Sequence, residues 1–164
     1  MHDLSLYLLD IIENSVRAGA TVIATTIAAD RAGDELTITV EDDGPGLPVE
    51  PERALDPFFT TKTRKKTGLG LSLFRQAAED AGGGLAVGRS DELGGARISA
   101  RMSLANVDRP PLGDIAASVA TMVVTNPEIE FRVDLRDAGG RTTLRGPEVA
   151  QRLTELVAFQ EALT

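Results

Sequence analysis

The sequence LDIIENSVRAGA at residues 9–20 places a charged and polar stripe on a helix that is otherwise apolar. Asp10 and Asn14 are four positions apart, so both side chains leave the same helix face, and Arg17 follows one turn later. An amide oxygen suits Mg²⁺, and a carboxylate one turn away can orient or deprotonate an attacking water. A solvated helix face explains the same three residues equally well.

The segments on either side of this stretch indicate one α+β unit. The apolar spacing and the β-branched runs predict two helices and four strands, with helices over 4–15 and 68–82 and strands over 21–28, 35–41, 85–90 and 96–102. The first two strands are separated by a short turn, which favours an antiparallel hairpin.

The remaining third of the chain is predicted to form a second, smaller α+β unit. Residues 106–114 contain Pro110, Pro111 and Gly113, and this composition predicts a linker. Beyond it the pattern predicts a helix, two strands and a last helix opened by Pro147, over residues 115–124, 128–135, 141–145 and from 147 onward. We therefore expect domains at 1–104 and 105–164, the second offering a partner or dimer surface because its apolar faces need cover.

Two glycine-containing segments are candidate ligand loops. Asp42-Asp43-Gly44-Pro45-Gly46 follows a strand, so Asp42 can accept a hydrogen bond while Gly44 and Gly46 allow close approach of a ligand. Taken alone, this segment is more often an ordinary turn. Gly68-Leu69-Gly70-Leu71 lies where a loop becomes a helix, and free N–H groups there favour an anion. A lone Gly-x-Gly is weak evidence.

A basic cluster precedes the second glycine segment and comprises Lys62, Arg64, Lys65 and Lys66. The chain as a whole is acidic, with 17 basic and 25 acidic residues giving 17 − 25 = −8. In such a protein, local clustering of cations favours a polyphosphate ligand over an ordinary solvated loop. The same net charge argues against nucleic acid or an anionic membrane as a partner.

The order of these features resembles the four-box pattern of the GHKL ATPases, the superfamily of histidine kinases, gyrase, Hsp90 and MutL. LDIIENSVRAGA at 9–20 is similar to the N box, DDGPGL at 42–47 to the G1 box, DPFFTTK at 56–62 to the F box and KTGLGLSL at 66–73 to the G2 box. The resemblance covers about residues 4–102. It implies a Bergerat-type two-layer α/β sandwich, a mixed sheet with helices on one face, and ATP bound between those helices beneath a lid.

The resemblance also implies roles for individual residues. Asn14 is similar to the Mg²⁺ ligand, Asp42 to the adenine-binding carboxylate and Arg17 to a phosphate-contacting cation of histidine kinases. The residues expected to frame the lid and phosphates are Gly44, Gly46, Lys62, Arg64, Lys65, Lys66, Gly68, Leu69, Gly70 and Leu71. Phe58 and Phe59 are expected to anchor the lid rather than stack on the base.

Three positions depart from the superfamily pattern. Lys66 stands at the first glycine of the G2 box, where it can add a phosphate contact. Asp10 stands where hydrolytic relatives carry Glu, which predicts slow hydrolysis. Ala96 follows Gly95 where Thr is frequent, so it lacks that hydroxyl contact to adenine.

These features predict a cytoplasmic regulator of bacterial signalling that binds ATP with Mg²⁺. The leading hypothesis is a kinase-like protein or slow ATPase acting on a protein partner, for which anti-sigma-factor kinases are the functional model. The alternative is a binding module that ATP switches without chemistry. A histidine-kinase fragment with His2 as phosphoacceptor, or a MutL-like machine, fits less well. The absence of cysteine excludes disulfides and thiol chemistry, and no signal peptide or spanning segment is evident.

Overall fold

The structure is a computed structural model that describes residues 3–46 and 65–163, with the backbone alone described for residues 65–69. The helices are α1 Leu4–Arg17, α2 Lys65–Asp80, α3 Ile115–Thr125, α4 Glu148–Gln151 and α5 Leu153–Ala162. The strands are β1 Val22–Asp30, β2 Glu35–Asp42, β3 Gly84–Arg89, β4 Ala96–Met102, β5 Glu130–Asp137 and β6 Gly140–Arg145.

The six strands form one mixed sheet in the order β3-β4-β2-β1-β5-β6. β1 and β5 run parallel, whereas the other neighbouring pairs are antiparallel. Along each central strand buried apolar side chains alternate with more exposed ones, as Leu36, Ile38 and Val40 show in β2. This alternation directs one face of the sheet into the core beneath the helices and confirms the predicted α+β fold.

Helix α1 lies between α2 and α3 on the buried face. The ring of Tyr7 in α1 stacks on the ring of Phe74 in α2, with ring centroids 4.8 Å apart and planes inclined by 6°. Burial raises the pKa of the Tyr7 hydroxyl above its ordinary value. The helix begins at a capping Asp3, whose carboxylate accepts the backbone N–H of Leu6, and it ends before Gly19 at a φ of +90°.

The predicted linker at 106–114 packs against the start of α1. The carbonyls of Pro111 and Leu112 accept hydrogen bonds from the N–H groups of Leu4 and Ser5, which have no acceptor within the helix. Gly113 approaches so closely that a Cβ there would lie 2.4 Å from the carboxyl carbon of Asp3. These contacts fix the chain between β4 and α3 against the first unit.

Residues 105–163 add two strands to the sheet of the first unit, and the sequence does not predict this pairing. β5 pairs with β1 from Val22 opposite Glu130 to Ala28 opposite Arg136, so β1 is a central strand and not an edge. α3 packs beside α1, and its buried face joins the same core. The boundary after residue 104 stays a prediction, but residues 105–163 share a core and a sheet with the first unit.

Most predicted elements are confirmed within a few residues, with two differences. α2 begins at Lys65, three residues before the predicted start, so Gly68 is its fourth residue. The last predicted helix is divided at Arg152, whose backbone leaves helical geometry at φ −108° and ψ 36°. Within the described ranges, no helix is both long enough and apolar enough to cross a bilayer.

Candidate nucleotide site

Asp42, at the end of β2, is the most constrained acidic side chain of the candidate site and is only 5% exposed. Its Oδ2 accepts the hydroxyl hydrogen of Ser15 at 2.6 Å, and its Oδ1 accepts the backbone N–H groups of Gly44 at 3.0 Å and Ala96 at 3.1 Å. An ionised carboxylate has about four acceptor positions. Three donors therefore hold the group in place, and about one position is left for a ligand donor.

Ser15 and the backbone of Ala96 are the contacts that sequence reasoning missed. Ser15 is 6% exposed and lies on the buried face of α1 among aliphatic side chains. A hydroxyl at a core position needs a hydrogen-bond partner. The position of Ser15 in the apolar stripe was therefore the one local sign that it bonds to a buried polar group. Ala96 lacks the side-chain hydroxyl expected at its position, yet its backbone N–H reaches the same carboxylate.

Gly95 is required by its closeness to Asp42. A Cβ at this position would lie 2.3 Å from Oδ1 of Asp42 and 2.6 Å from the backbone nitrogen of Gly44. The Gly95 N–H donates to the backbone carbonyl of Asp42 at 2.9 Å. The loop before β4 thus closes over the carboxylate, and only glycine allows that approach.

The neighbouring Asp43 connects two strands through its side chain. Its carboxylate accepts the N–H and hydroxyl of Thr21 and the N–H of Val22, which joins the end of β2 to the start of β1. Although burial opposes the shift, these hydrogen bonds lower the pKa of Asp43. Gly46 adopts a φ of +84°, a left-handed conformation that favours glycine.

The predicted stripe of α1 is present at its C-terminal end. The Arg17 guanidinium donates to Oδ1 of Asn14 at 3.3 Å and forms an ion pair with Glu13 at 3.4 Å. The distance to Asn14 is long for an N–H···O hydrogen bond. Asn14 is partly buried and Arg17 is exposed, so the amide oxygen is held only weakly by this cation.

Asp10 lies one turn earlier on α1, against the first turns of α2. A Cβ added to Gly70 would lie 3.0 Å from Oδ2 of Asp10, so the missing side chain leaves room for the carboxylate. The Asp10 side chain is otherwise exposed. The packing of α1 on α2 therefore brings Asp10 beside Gly70, which is 60 positions later in the sequence.

The other predicted site residues fall into three groups. Leu71 is 2% exposed and packs into the core, so its side chain does not face a ligand. For Lys65, Lys66, Gly68 and Leu69 the helical backbone alone is described, and it places them in the first turns of α2. The lid candidates Phe58, Phe59, Lys62 and Arg64 lie outside the described residues.

The donor set fits Mg²⁺ together with a nucleotide. Asn14 offers a partly buried amide oxygen, a hard ligand of the kind that Mg²⁺ takes alongside waters and phosphate oxygens. The start of α2 has four backbone N–H groups without helical acceptors, together with the positive end of the helix dipole. Asp42, with a remaining acceptor position, fits an amino group at the opposite end of the ligand.

Comparisons with known proteins give relatives of similar sequence. The curated relatives include the nitrogen regulation protein NtrY of Azorhizobium caulinodans, 41% identical over 73 residues, and the sensor protein kinase PilS of Pseudomonas aeruginosa, 37% identical over 84. The sensor histidine kinase CpxA of Escherichia coli is 36% identical over 95 residues. The matches cover 44%, 48% and 54% of this chain but only 9%, 16% and 20% of the relatives, so the chain spans at most a fifth of their length.

Solved structures show the same fold. The N-terminal domain of a DNA repair protein superimposes with a TM-score of 0.55 over 87% of this chain and 52% of its own. The MutL ATPase domain of Aquifex aeolicus, complexed with ADP, gives a TM-score of 0.52 over 96% of this chain and 70% of its own. Both are 16% identical, which supports a shared fold only.

A family match covers the residues that form this site. Residues 2–106, more than half of the chain, match the family described as histidine kinase-, DNA gyrase B-, and HSP90-like ATPase. The match includes α1, β2, the glycine segment of α2 and the loop before β4. The predicted resemblance to the GHKL ATPases is confirmed, and the chain belongs to this family as a GHKL-type ATP-binding domain homologous to histidine kinases.

Proposed function

We propose that this protein binds ATP with Mg²⁺ and regulates a protein partner in bacterial signalling, as a kinase-like phosphotransferase or a slow ATPase. The observation that carries the proposal is the arrangement around Asp42. A buried carboxylate is held by three donors and retains one acceptor position, as recognition of an adenine amino group requires. The cytoplasm is the compartment in which such a regulator meets ATP.

The phosphate end of the proposed site is formed by α1 and α2. Asn14 would hold Mg²⁺, and the Arg17 guanidinium, which now donates to Asn14, would turn to the phosphates once the amide oxygen binds the metal. Lys65 and Lys66 begin α2, where the N–H groups of the first turn and these two cations favour anionic oxygens. Gly70, which was predicted to offer a free N–H, is the sixth residue of α2 and donates that N–H within the helix. Mg²⁺ supplies charge neutralisation for phosphoryl transfer at such a site.

Binding and transfer are tested separately. Calorimetry with ADP should show binding that depends on Mg²⁺ in the wild type and is strongly weakened in Asn14→Ala. Glu13→Ala is the matched control, because Glu13 lies beside Asn14 and pairs only with Arg17 among the described residues. Equal affinities for all three proteins, with and without Mg²⁺, would remove Asn14 from the site.

Transfer is measured with γ-labelled ATP and a lysate of the source organism. A labelled partner protein whose phosphate depends on intact Asn14 supports the kinase-like function. If the chain itself carries an acid-labile label that His2→Ala abolishes, the activity is autophosphorylation on histidine and not transfer to a partner. If ATP binds but neither label nor phosphate release is found, the protein is a switch.

The switch is the second candidate function, and Asp10 is the observation that favours it. Its carboxylate is one methylene shorter than that of Glu and lies beside Gly70. A water-activating group displaced by that amount loses much of its effect, so hydrolysis would be slow and ATP would stay bound without being cleaved. The bound nucleotide would then act through the conformation that a partner recognises.

A further inference from the structure

The sheet face turned away from the helices carries four arginines on the β5–β6 hairpin: Arg132, Arg136, Arg141 and Arg145, here called the arginine patch. Phe131, Val133 and Leu144 are buried on the helix side, so the alternating arginines face the other way. Beside the patch, β1 offers Ala24, Thr26 and Ala28, which leave a flat floor.

The register of this hairpin places like charges opposite each other twice. Arg132 pairs with Arg145, and Arg136 pairs with Arg141. Cross-strand neighbours have Cβ atoms about 5 Å apart, and like charges at that distance destabilise a sheet. The two pairs are four residues apart, about 13 Å along the strand at the usual rise. Stability alone therefore does not account for this arrangement.

Asp134 lies between the two pairs and holds one of them. Its side chain is 12% exposed, and it accepts hydrogen bonds from Arg136 at 2.6 and 3.0 Å and from Arg141 at 3.0 Å. Although burial opposes the shift, these two guanidinium groups lower the pKa of Asp134. One buried carboxylate thus orients two arginines whose remaining N–H groups face solvent, with side chains 49% and 62% exposed.

The other pair is less compensated. Arg132 forms an ion pair with Glu130 at 2.6 Å. No acidic side chain within residues 3–46 and 65–163 lies within ion-pair distance of the Arg145 guanidinium. The hairpin carries these four arginines and three carboxylates, Glu130, Asp134 and Asp137, so its net charge is 4 − 3 = +1, while the whole chain carries −8.

We propose that the arginine patch is the docking surface for a short acidic segment of a partner protein. Oriented guanidinium groups in two rows suit carboxylates spaced along an extended chain, each accepting a bidentate pair of hydrogen bonds. The flat floor formed by β1 lets the partner backbone approach the sheet. The like-charge cost in the free protein is recovered when the carboxylates arrive.

A short acidic segment fits better than a long polyanion or a membrane. The patch is only about 13 Å long, and the glutamates and arginines of β2 and β4 on the same sheet face pair with one another. A nucleic acid or an anionic bilayer would extend beyond the patch and would meet a chain whose net charge is −8. A second copy of this chain would bring the same two rows of arginines face to face. A few carboxylates on a protein segment match both the size and the charge.

The test uses fluorescence anisotropy with a labelled octaglutamate peptide and the full chain at low and high salt. We expect Arg132→Gln/Arg145→Gln and Arg136→Gln/Arg141→Gln to weaken binding by about two- to fivefold for each arginine removed. Arg75→Gln/Arg152→Gln is the matched control, because it removes the same charge from α2 and from the break between α4 and α5, outside the patch, and should leave affinity unchanged. An octaglutamine peptide should not bind, and salt should weaken the octaglutamate complex.

A second measurement separates binding from folding. Arg145→Gln alone should weaken peptide binding without lowering the urea midpoint of unfolding, because it removes a like-charge neighbour of Arg132. Unchanged ADP affinity in the patch variants would show that the nucleotide site is intact.

The proposal is overturned if the control double variant loses as much affinity as the patch variants, or if the peptide does not bind. It is also overturned if an octanucleotide or phosphatidylserine vesicles bind the patch more tightly, or if ultracentrifugation shows a dimer that the patch variants dissociate.

Discussion

Asp42→Asn is the substitution that most directly tests how the base is recognised. Asparagine has the shape of aspartate, so its amide oxygen can keep the hydrogen bonds from the N–H groups of Gly44 and Ala96. Its NH2 group then replaces Oδ2 and donates to the hydroxyl of Ser15, which can reverse its role and accept. The fold is retained, but an acceptor beside the ligand becomes a donor.

The cost follows from the interaction that is lost. A hydrogen bond to a charged group contributes about 1.5–3 kcal/mol, which corresponds to about 10- to 150-fold in affinity. The 6-amino group of adenine is a donor and would face the new NH2 group. The 6-oxo group of hypoxanthine is an acceptor, as it is in guanine. We therefore expect ADP to bind about 10- to 150-fold more weakly, and the preference for ADP over IDP to fall or reverse.

The assay is calorimetry of ADP and IDP with Mg²⁺, together with urea unfolding of each variant. Asp43→Asn is the matched control: it removes the same charge one residue later, where the carboxylate serves Thr21 and Val22. It should leave the ADP-to-IDP preference unchanged. If Asp42→Asn retains ADP affinity, or weakens ADP and IDP equally, the base is not recognised by this carboxylate.

Three further predictions concern the chemistry, the domain boundary and pH. Asp10→Glu should raise steady-state ATP hydrolysis, and Asp10→Asn should abolish the remainder while ADP affinity is kept. A chain ending at Leu104 should fail to unfold cooperatively in circular dichroism, because β1 loses its β5 partner and α1 loses two acceptors. The lowered pKa of Asp134 gives stability that is full above the ordinary carboxyl pKa of about 3.9 and is lost as pH falls through the folded value. Asp134→Asn should therefore lower the urea midpoint more at pH 7 than at pH 3.

The elements that determine the fold family could be predicted because their signals are local. The spacing of Asp10 and Asn14, the strand before Asp42 and the glycine segments are each evident within a few residues. The order of the four boxes predicts that they assemble at one site. The burial of Asp42 and its hydrogen bond with Ser15 required contact across 27 positions, for which a polar residue in an apolar stripe was the only local indication.

The place of residues 105–163 could not be predicted for the same physical reason. Alternation in β5 indicates a strand with one buried face, but parallel pairing with β1 depends on contacts over a hundred positions apart. The prolines before α3 are typical of a linker. A proline has no backbone N–H to donate, but its carbonyl can still accept a hydrogen bond. Pro111 is consequently able to cap α1 while appearing in sequence as a break.

The position of Asp10 bears differently on hydrolysis and on transfer to a partner. In hydrolysis this chain alone must orient the water, so a carboxylate that lies about 1.5 Å short of the Glu position reduces the rate directly. In transfer to a protein hydroxyl, docking positions the acceptor, and the base is needed only for its proton. A shortened carboxylate beside Gly70 therefore penalises hydrolysis more than transfer. If Asp10→Glu raises phosphate release but not partner labelling, the aspartate protects bound ATP for the partner; if both rise equally, it simply slows all chemistry.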